Sequence, residues 1–470
     1  MRKAKDSRWT MLSLSVVMLL ACRYCFELPA ALKELLGIRL SGELNTEEYE
    51  FFYNSFLSIY SLPNIFLPFL NGYIIDRFGY KLMLIICAVL ALGGHTMFCM
   101  GLNHDYFEIM LGGRFLFGIG SESLFVAQNI LLTKIFSQKE LSLAMGISGT
   151  MSSIGNVLNM LATPRLAAEV SLDAAVWSGA VLCGLGFVSI IIVLIIDRKN
   201  DNHRLSFNLL RQKPEYDMLQ LEVNHFKSFD RIFWFLALTQ FFLFSSITCW
   251  VNIGPSFLVE EWFNHLRIEE AQILAGNCLA LIWLIAVISG PLVGSFADNY
   301  GLRPRILLVG TAICTVSMLM FLFVFPFIPS FLLGIAYAFG ASSIFPCISY
   351  VIPREYLGKA NGLVISMQNL GYVIYPYIIA SLKVWSGNYT YAQIFLILSA
   401  GLAFKFAWNT FKENLRKGYN LEVEVDMMDL AGLEVLALKG SGEQGIEMDY
   451  NILHSDERRS GRSGRSKSHL

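Results

Sequence analysis

Three charged residues stand inside long apolar stretches of this sequence: Arg23, Glu27 and Glu122. A charge at the centre of a membrane helix costs about 2.5 to 3.5 kcal/mol unless it faces a cavity or a partner. Opposite charges in one cavity can bind a zwitterionic solute, because a carboxylate binds an ammonium group and a guanidinium binds a carboxylate. These three residues are therefore the first candidates for a binding site.

Each charge also has a structural explanation. Arg23 and Glu27 are four residues apart on one helix face, so either they neutralise each other or both point into a cavity. Glu122 has Arg114 two turns earlier, which is too far along one helix for an i,i+4 contact. Weaker candidates are uncharged polar residues that either line the cavity or satisfy a neighbouring backbone group. They are Gln128, Asn129, Asn252, Tyr350, Gln368 and Tyr372.

A short segment is repeated 222 residues later, where an apolar stretch meets a basic loop. The first copy contains Gly72, Asp76, Arg77, Gly79 and Lys81, and the second contains Gly294, Asp298, Gly301 and Arg303. Glycine, aspartate, glycine and a base keep their spacing in the two copies. This pattern predicts a duplicated chain with two parallel membrane repeats, as transporters have.

The composition is that of a polytopic membrane protein. Hydrophobic residues make up 55% of the chain and charged residues 16%, against about 25% charged residues in a soluble domain. We predict an all-α protein with twelve spans, since windows of roughly 20 apolar residues can be placed twelve times. The windows lie near residues 10–31, 51–75, 81–102, 107–133, 141–162, 175–196, 232–258, 270–297, 306–326, 329–352, 360–384 and 390–411.

The spans fall into two groups of six. We predict an N-terminal six-helix bundle at 1–197, a cytoplasmic connector at 198–230, a C-terminal six-helix bundle at 231–412 and a disordered cytoplasmic tail at 413–470. Lysine and arginine concentrate in alternate loops, and such loops stay in the cytoplasm. Both termini are therefore expected to be cytoplasmic.

The sequence contains no motif that is typical of other functional classes. There is no phosphate-binding glycine loop and no hydrolase motif, so we expect neither an ATP-driven pump nor an enzyme. We also expect no metal and no cofactor. The nine cysteines lie in or beside apolar windows, which implies no extracellular disulfide framework, and the net charge of -1 does not point to nucleic acid. Membrane lipid and a small-molecule substrate are the expected partners.

The repeated loop, the number of spans and the duplication resemble the major facilitator superfamily. The resemblance implies a gate built from Gly72, Asp76, Arg77, Gly294, Asp298 and Arg303. Gly72 would permit close helix contact, and Asp76 would accept hydrogen bonds at the N-terminus of a helix in the other half. The alternative is that Arg77 and Lys81 only set the topology.

A narrower resemblance covers nearly the whole transmembrane body. The segments 27–32, 62–64, 113–129 and 351–371 are similar to the lysosomal dipeptide transporters of this superfamily. This implies export of dipeptides from the lysosome, often with a glycosylated single-span partner, and it places Glu122 where it would meet the substrate amino group. The pattern departs at Ser153, where the family has an arginine that contacts the dipeptide carboxylate. Arg23 is the candidate to supply that positive charge instead.

Two functional classes remain at this point. The first is a carrier for dipeptides or amino acids, with sugars or organic anions as rival substrates. The second is a transport-inactive receptor or scaffold that keeps the fold. Buried charges together with two gate loops favour the carrier, by uniport or with proton coupling, in a lysosomal or endosomal membrane or in the plasma membrane.

Overall fold

The computed structural model describes residues 2–136, 138–204, 229–353 and 356–417, which form helices and no strand. The first half contains α1 (Arg2–Phe26), α2 (Leu28–Ala31), α3 (Lys33–Leu40), α4 (Thr46–Ser61), α5 (Leu67–Phe78), α6 (Tyr80–Asn103), α7 (Phe107–Ile135), α8 (Gln138–Glu169) and α9 (Leu172–Arg204). The second half contains α10 (Arg231–Glu261), α11 (Ile268–Tyr300), α12 (Arg303–Met320), α13 (Phe327–Val351), α14 (Leu357–Ser386) and α15 (Thr390–Lys417).

Among the described residues, ten helices are long and apolar enough to cross a membrane, so this is an integral membrane protein. The two other predicted spans are also helical but differ from expectation. The second span is broken at Pro63 into α4 and α5, joined by a short 3₁₀ turn, because proline removes a helical hydrogen bond. The fifth span lies in α8, whose inner face carries buried Ser148, Asn156 and Asn159 and is correspondingly less apolar.

The packing of the helices repeats between the halves. α1 packs on α8 and α9, as α10 packs on α14 and α15, and α6 packs on α7 as α12 packs on α13. The halves meet through two equivalent contacts, α4 with α14 and α8 with α11. The predicted pseudo-symmetric major facilitator architecture is therefore confirmed.

The described helices belong to one compact unit. α9 ends at Arg204, α10 begins at Arg231 and α15 ends at Lys417. Most of the predicted connector and tail, at 205–228 and 418–470, lies outside the described residues. The division into four parts stays a prediction.

Local sequence explains where α1 and α4 begin and end. α1 stops at Phe26, and Pro29 then stands in the first turn of α2, where proline needs no helical partner. α4 starts at a capping box: Asn45 Oδ1 accepts from the Glu48 N–H at 2.9 Å, and the Glu48 carboxylate accepts from the Asn45 N–H. These two ends place Arg23, Glu27 and Tyr60 toward the middle of the molecule.

Candidate substrate site

Arg23 and Glu122 form an ion pair between α1 and α7. Arg23 Nη1 lies 3.8 Å from Glu122 Oε1, and the two side chains are 35% and 29% exposed. Tyr60 of α4 donates to the same Glu122 oxygen at 2.8 Å and shares a hydrogen bond with Ser121 at 2.7 Å. One cation and one anion thus face a common space between three helices of the first half.

A small cavity surrounds this pair. Its walls combine apolar side chains with hydroxyl groups, and they are Leu19, Cys22, Arg23, Tyr60, Ser121, Glu122, Phe125 and Ser152. The Arg23 guanidinium also lies 5.7 Å above the ring of Phe26, a cation–π contact that helps to orient it. The cavity therefore presents one cation and one anion to a common space.

Close backbone contacts fix the positions of these side chains. A Cβ added to Gly118 of α7 would stand 2.2 Å from the carbonyl oxygen of Tyr60, so only glycine lets α7 approach α4 here. Likewise a Cβ at Gly155 of α8 would stand 2.3 Å from the Leu20 carbonyl oxygen and 3.1 Å from Arg23 Cβ. The α8 segment that contains Ser153 is therefore packed against α1 at Arg23.

Arg114 does not pair with Glu122. Its Nη1 and Nη2 donate to the carbonyl oxygens of Cys25 and Phe26, each at 3.0 Å. These carbonyls belong to the last turn of α1, where a cation is favourable. Arg114 therefore holds the end of the helix that carries Arg23.

Glu27 does not pair with Arg23 in the structure. Its side chain is 4% exposed and lies beside the indole of Trp283. It lines a second, small cavity between the halves together with Arg114, Thr248 and Asn252. We call the cavity that Arg23 and Glu122 line the central cavity, and Glu27 is not among its lining residues.

The second half faces the pair with neutral polar groups. Gln240 donates to Gln368, Gln368 donates to Tyr372, and Thr248 donates to the Tyr372 phenol at 2.9 Å. The phenols of Tyr337 and Tyr372 lie within electrostatic range of the Arg23 guanidinium. The predicted residues Gln368 and Tyr372 are thus brought to the site, with Gln240 and Thr248 added to them.

Other predicted site residues have different surroundings. Gln128 is fully buried and donates to Ser148 at 3.3 Å, which links α7 to α8. Asn129 is half-buried on the next position of α7. Ser153 donates to the Gly149 carbonyl in its own helix at 3.2 Å, and Tyr350 lies 5.0 Å from the Arg303 guanidinium near the repeated loops. Tyr350 therefore lies beside the second repeat and is not among the residues that line the cavity around Arg23 and Glu122.

The glycines of the two repeated loops have open space around them. Added Cβ atoms on Gly72 and Gly294 would meet nothing within 4 Å among the described residues. Asp298 is 70% exposed and accepts from Arg303 of its own half at 2.8 Å. Arg77 donates to Tyr73 at 2.6 Å, one turn earlier in α5, and the side chain of Asp76 lies outside the described residues. We call this end of the molecule the repeat end.

The other end of the molecule is closed by contacts between the halves. Lys33 lies 2.9 Å from Glu50 and donates to Tyr389, which in turn donates to Glu50. Lys33 and Glu50 are only 1% and 6% exposed. Burial, with the charge of Glu50, raises the pKa of the Tyr389 phenol well above its ordinary value, so Tyr389 keeps its proton and remains a donor.

Further bonds extend this closed end. Tyr53 donates to the Asn252 carbonyl at 2.7 Å, Gln272 donates to the Ala31 carbonyl at 2.8 Å, and Ser256 donates to Glu34. Sequence reasoning missed this cluster because its members are up to 356 residues apart. The signal that could have found it was Lys33, a lysine directly after the apolar segment that ends at Leu32.

Comparisons with known proteins agree with this architecture. The profile of the Major Facilitator Superfamily matches residues 26–376. The chain is 27% identical to the Homo sapiens lysosomal dipeptide transporter MFSD1, over 86% of this chain and 87% of that protein. For MFSD1 of Danio rerio the identity is also 27%, over 80% of both chains. A nitrite extrusion protein of Bacillus subtilis is 28% identical over 68% of this chain and 74% of its own length.

Solved structures share the fold at low identity. A point mutant of the nucleoside transporter NupG superposes with a TM-score of 0.62 and 14% identity, covering 85% of this chain and 99% of its own. A D-xylose-proton symporter gives a TM-score of 0.65 at 14% identity, covering 85% of this chain and 97% of its own. With two equivalent helix bundles, paired glycine–aspartate loops and a profile match over most of its length, the chain belongs to the major facilitator superfamily of membrane transporters.

Proposed function

We propose that this protein is a secondary transporter that moves small zwitterionic solutes, dipeptides first and amino acids second, by alternating access. The observation that carries the proposal is the Arg23–Glu122 pair, which presents one cation and one anion to a single cavity. A zwitterion needs both, because a buried carboxylate or ammonium without a partner would be expelled or neutralised. A simple anion has no use for Glu122.

The geometry of the pair suits exchange with a substrate. At 3.8 Å the ions are too far apart for a good hydrogen bond, and both remain partly exposed. A dipeptide can therefore insert its carboxylate at Arg23 and its ammonium at Glu122 and Tyr60 while the pair separates. The neutral chain of Gln240, Gln368 and Tyr372 can then hydrogen-bond the peptide group between the two termini.

Packing of α8 against α1 supports the assignment of Arg23 to the carboxylate. Ser153 occupies the position where the resemblance implies an arginine, and its neighbour Ser152 lines the same cavity as Arg23. The guanidinium of Arg23 on α1 would thus occupy the space that an arginine at position 153 of α8 would otherwise fill. The positive charge would come from a different helix and lie in the same site.

Location and partners follow from the relatives. The MFSD1 proteins are named lysosomal, and we extend that location, lysosomal or endosomal, to this chain with both termini in the cytoplasm. The plasma membrane is the alternative. A glycosylated single-span accessory subunit is proposed on the resemblance alone, and membrane lipid surrounds the apolar helices.

A stability screen of the purified protein tests the proposal. Free dipeptides should raise the melting temperature between pH 5 and 7.5, since a ligand that binds the folded state stabilises it. N-acetylated and C-amidated forms of the same dipeptides should raise it far less. Stabilisation by sugars or organic anions instead would indicate that these rival solutes are the substrates. Stabilisation by none of the panels would favour a receptor or scaffold.

A further inference from the structure

One face of α8 carries a row of buried polar side chains. Its members are spaced by three or four residues, as positions on one face of a helix are, and they are Ser148, Ser152, Asn156, Asn159 and Thr163. A polar group buried inside a protein needs a hydrogen-bond partner. The partners of these five side chains therefore indicate which of them have a structural role and which have another.

Three members of the row have partners in neighbouring elements or in α8 itself. The Gln128 amide of α7 donates to Ser148 at 3.3 Å. The Thr163 hydroxyl is bonded to Asn159 Oδ1 at 2.7 Å and to the Tyr24 phenol of α1 at 2.8 Å. These bonds join α8 to α7 and α1, so they account for Ser148, Asn159 and Thr163 as structural residues.

Asn156 has no such explanation. Its side chain is 4% exposed, and its Oδ1 atom is buried without a hydrogen-bond donor among the described residues. It lies one turn after Ser152, which lines the central cavity. Its neighbour Gly155 packs on α1, where an added Cβ would stand 3.1 Å from Arg23 Cβ. An acceptor without a donor thus lies where α8 packs on the segment of α1 that carries the cation of the site.

The duplication of the chain gives Asn156 a counterpart in the second half. Gly155 of α8 is matched 216 residues later by Gly371 of α14. Each of these glycines permits a close approach to the first helix of its own half, since a Cβ on Gly371 would stand 3.0 Å from Ser245 Cβ of α10. The register of α8 on α1 is therefore repeated by α14 on α10.

This register relates two further pairs of residues. The same offset of 216 matches Ser152 with Gln368 and Asn156 with Tyr372. Gln368 donates to the Tyr372 phenol, which lies within electrostatic range of the Arg23 guanidinium. Asn156 is thus placed in the first half as Tyr372 is in the second, on the side of the helix that faces the centre of the molecule.

The free acceptor of Asn156 fits one group of a dipeptide. When the substrate carboxylate lies at Arg23, the peptide N–H is attached to the carbon atom that carries this carboxylate. A single amino acid has no N–H between its two charged ends. The χ2 torsion of asparagine is soft, so the amide can turn toward a ligand without a movement of α8. A peptide N–H would give Oδ1 the donor that it lacks.

We propose that Asn156 Oδ1 accepts the peptide N–H of the substrate and thereby selects dipeptides over amino acids and over analogues whose linkage carries no hydrogen. A site that hydrogen-bonds an N–H rejects an analogue without one, because its own buried polar atom then stays unpaired. The inference rests on the proposed function, since it requires a dipeptide in the central cavity.

Calorimetry with two ligands tests this role. One ligand is glycylleucine, and the other is its ester analogue, in which an oxygen atom replaces the peptide N–H. The wild type should bind the ester roughly ten- to a hundredfold more weakly than the peptide. Asn156→Leu should bind both ligands with similar, weak affinity, because it has no acceptor for the N–H. Asn156→Ala should behave like Asn156→Leu.

Asn369→Leu is the matched control. Asn369 lies on α14, is also 4% exposed, and donates to the Ile365 carbonyl of its own helix at 3.0 Å. This variant should keep the preference for the peptide. Equal affinity of the wild type for the two ligands, or a preference that the Asn156 variants retain, would overturn the inference and leave the proposed function intact. Absence of glycylleucine binding by the wild type would overturn the proposed function, and the inference with it.

Discussion

At the scale of single residues, the choice of partners in the site was the least predictable feature. A spacing of four residues predicts Arg23 and Glu27 on one helix face, yet α1 ends at Phe26 and Arg23 pairs with Glu122 of α7. Spacing along the sequence predicts which residues are neighbours on the surface of one helix. Packing between helices decides which charged residue lies nearest. The candidates Arg23 and Glu122 were therefore predictable from their burial cost, and their pairing was not.

Glu122→Gln should weaken the binding of free dipeptides by roughly ten- to more than a hundredfold. The substitution removes a charge-assisted hydrogen bond worth about 1.5 to 3 kcal/mol and keeps the shape of the side chain. Titration calorimetry of wild type and variant with glycylleucine measures the effect. Equal affinity in the two proteins would show that Glu122 does not bind the substrate and serves only as the partner of Arg23.

At the scale of helices and loops, the sequence predicted the elements well because each signal was local. The repeat marked where apolar stretches meet basic loops, whereas the break of the second span at Pro63 was not predicted. The surroundings of Tyr350 were not predictable because they depend on packing. A tyrosine near the end of α13 has no local feature that tells whether it faces the cavity or, as observed, Arg303.

Lys33→Met should open the end that Lys33 now closes. The substitution leaves Glu50 buried without its partner, and breaking a buried pair costs about 3 to 5 kcal/mol. Spin labels at Ser41→Cys and Asn264→Cys, both exposed at this end, should report a shift of the distance distribution to longer values. The double variant Lys33→Met and Glu50→Leu should recover most of the short distances. An unchanged distribution in the single variant would show that the pair does not hold this end.

Asp298→Asn should slow transport while sparing substrate affinity. Asp298 is not among the residues that line the central cavity, and its exposed carboxylate at the repeat end can enter a gate contact with the other half. Exchange rates in proteoliposomes and calorimetric affinities separate the two effects, and Asp76→Asn should behave alike. Glu270→Gln, which breaks an exposed pair with Arg267 at the opposite end, is the control. Normal turnover in both aspartate variants would show that these two residues of the repeats do not act in a gate.

At the scale of the whole molecule, the alternating access that we propose makes this structure one of two conformations. The bundles are joined through Lys33, Glu50 and Tyr389 at one end, and at the repeat end Gly72 and Gly294 have open space around them among the described residues. Internal duplication predicted the two bundles, because repeats of one sequence pack alike. The conformation was not predictable, since a sequence that alternates between two states must encode both.

The central claim is that Arg23 and Glu122 hold the two ends of a zwitterion, and the Arg23→Tyr variant tests it most directly. Calorimetry should show that this variant no longer binds free glycylleucine, because the substrate carboxylate loses the guanidinium that lines the cavity. Adding Ser153→Arg should restore part of the affinity from α8, which packs on α1 at this point. Normal affinity in Arg23→Tyr, or a loss that Ser153→Arg does not relieve in a folded protein, would contradict the account.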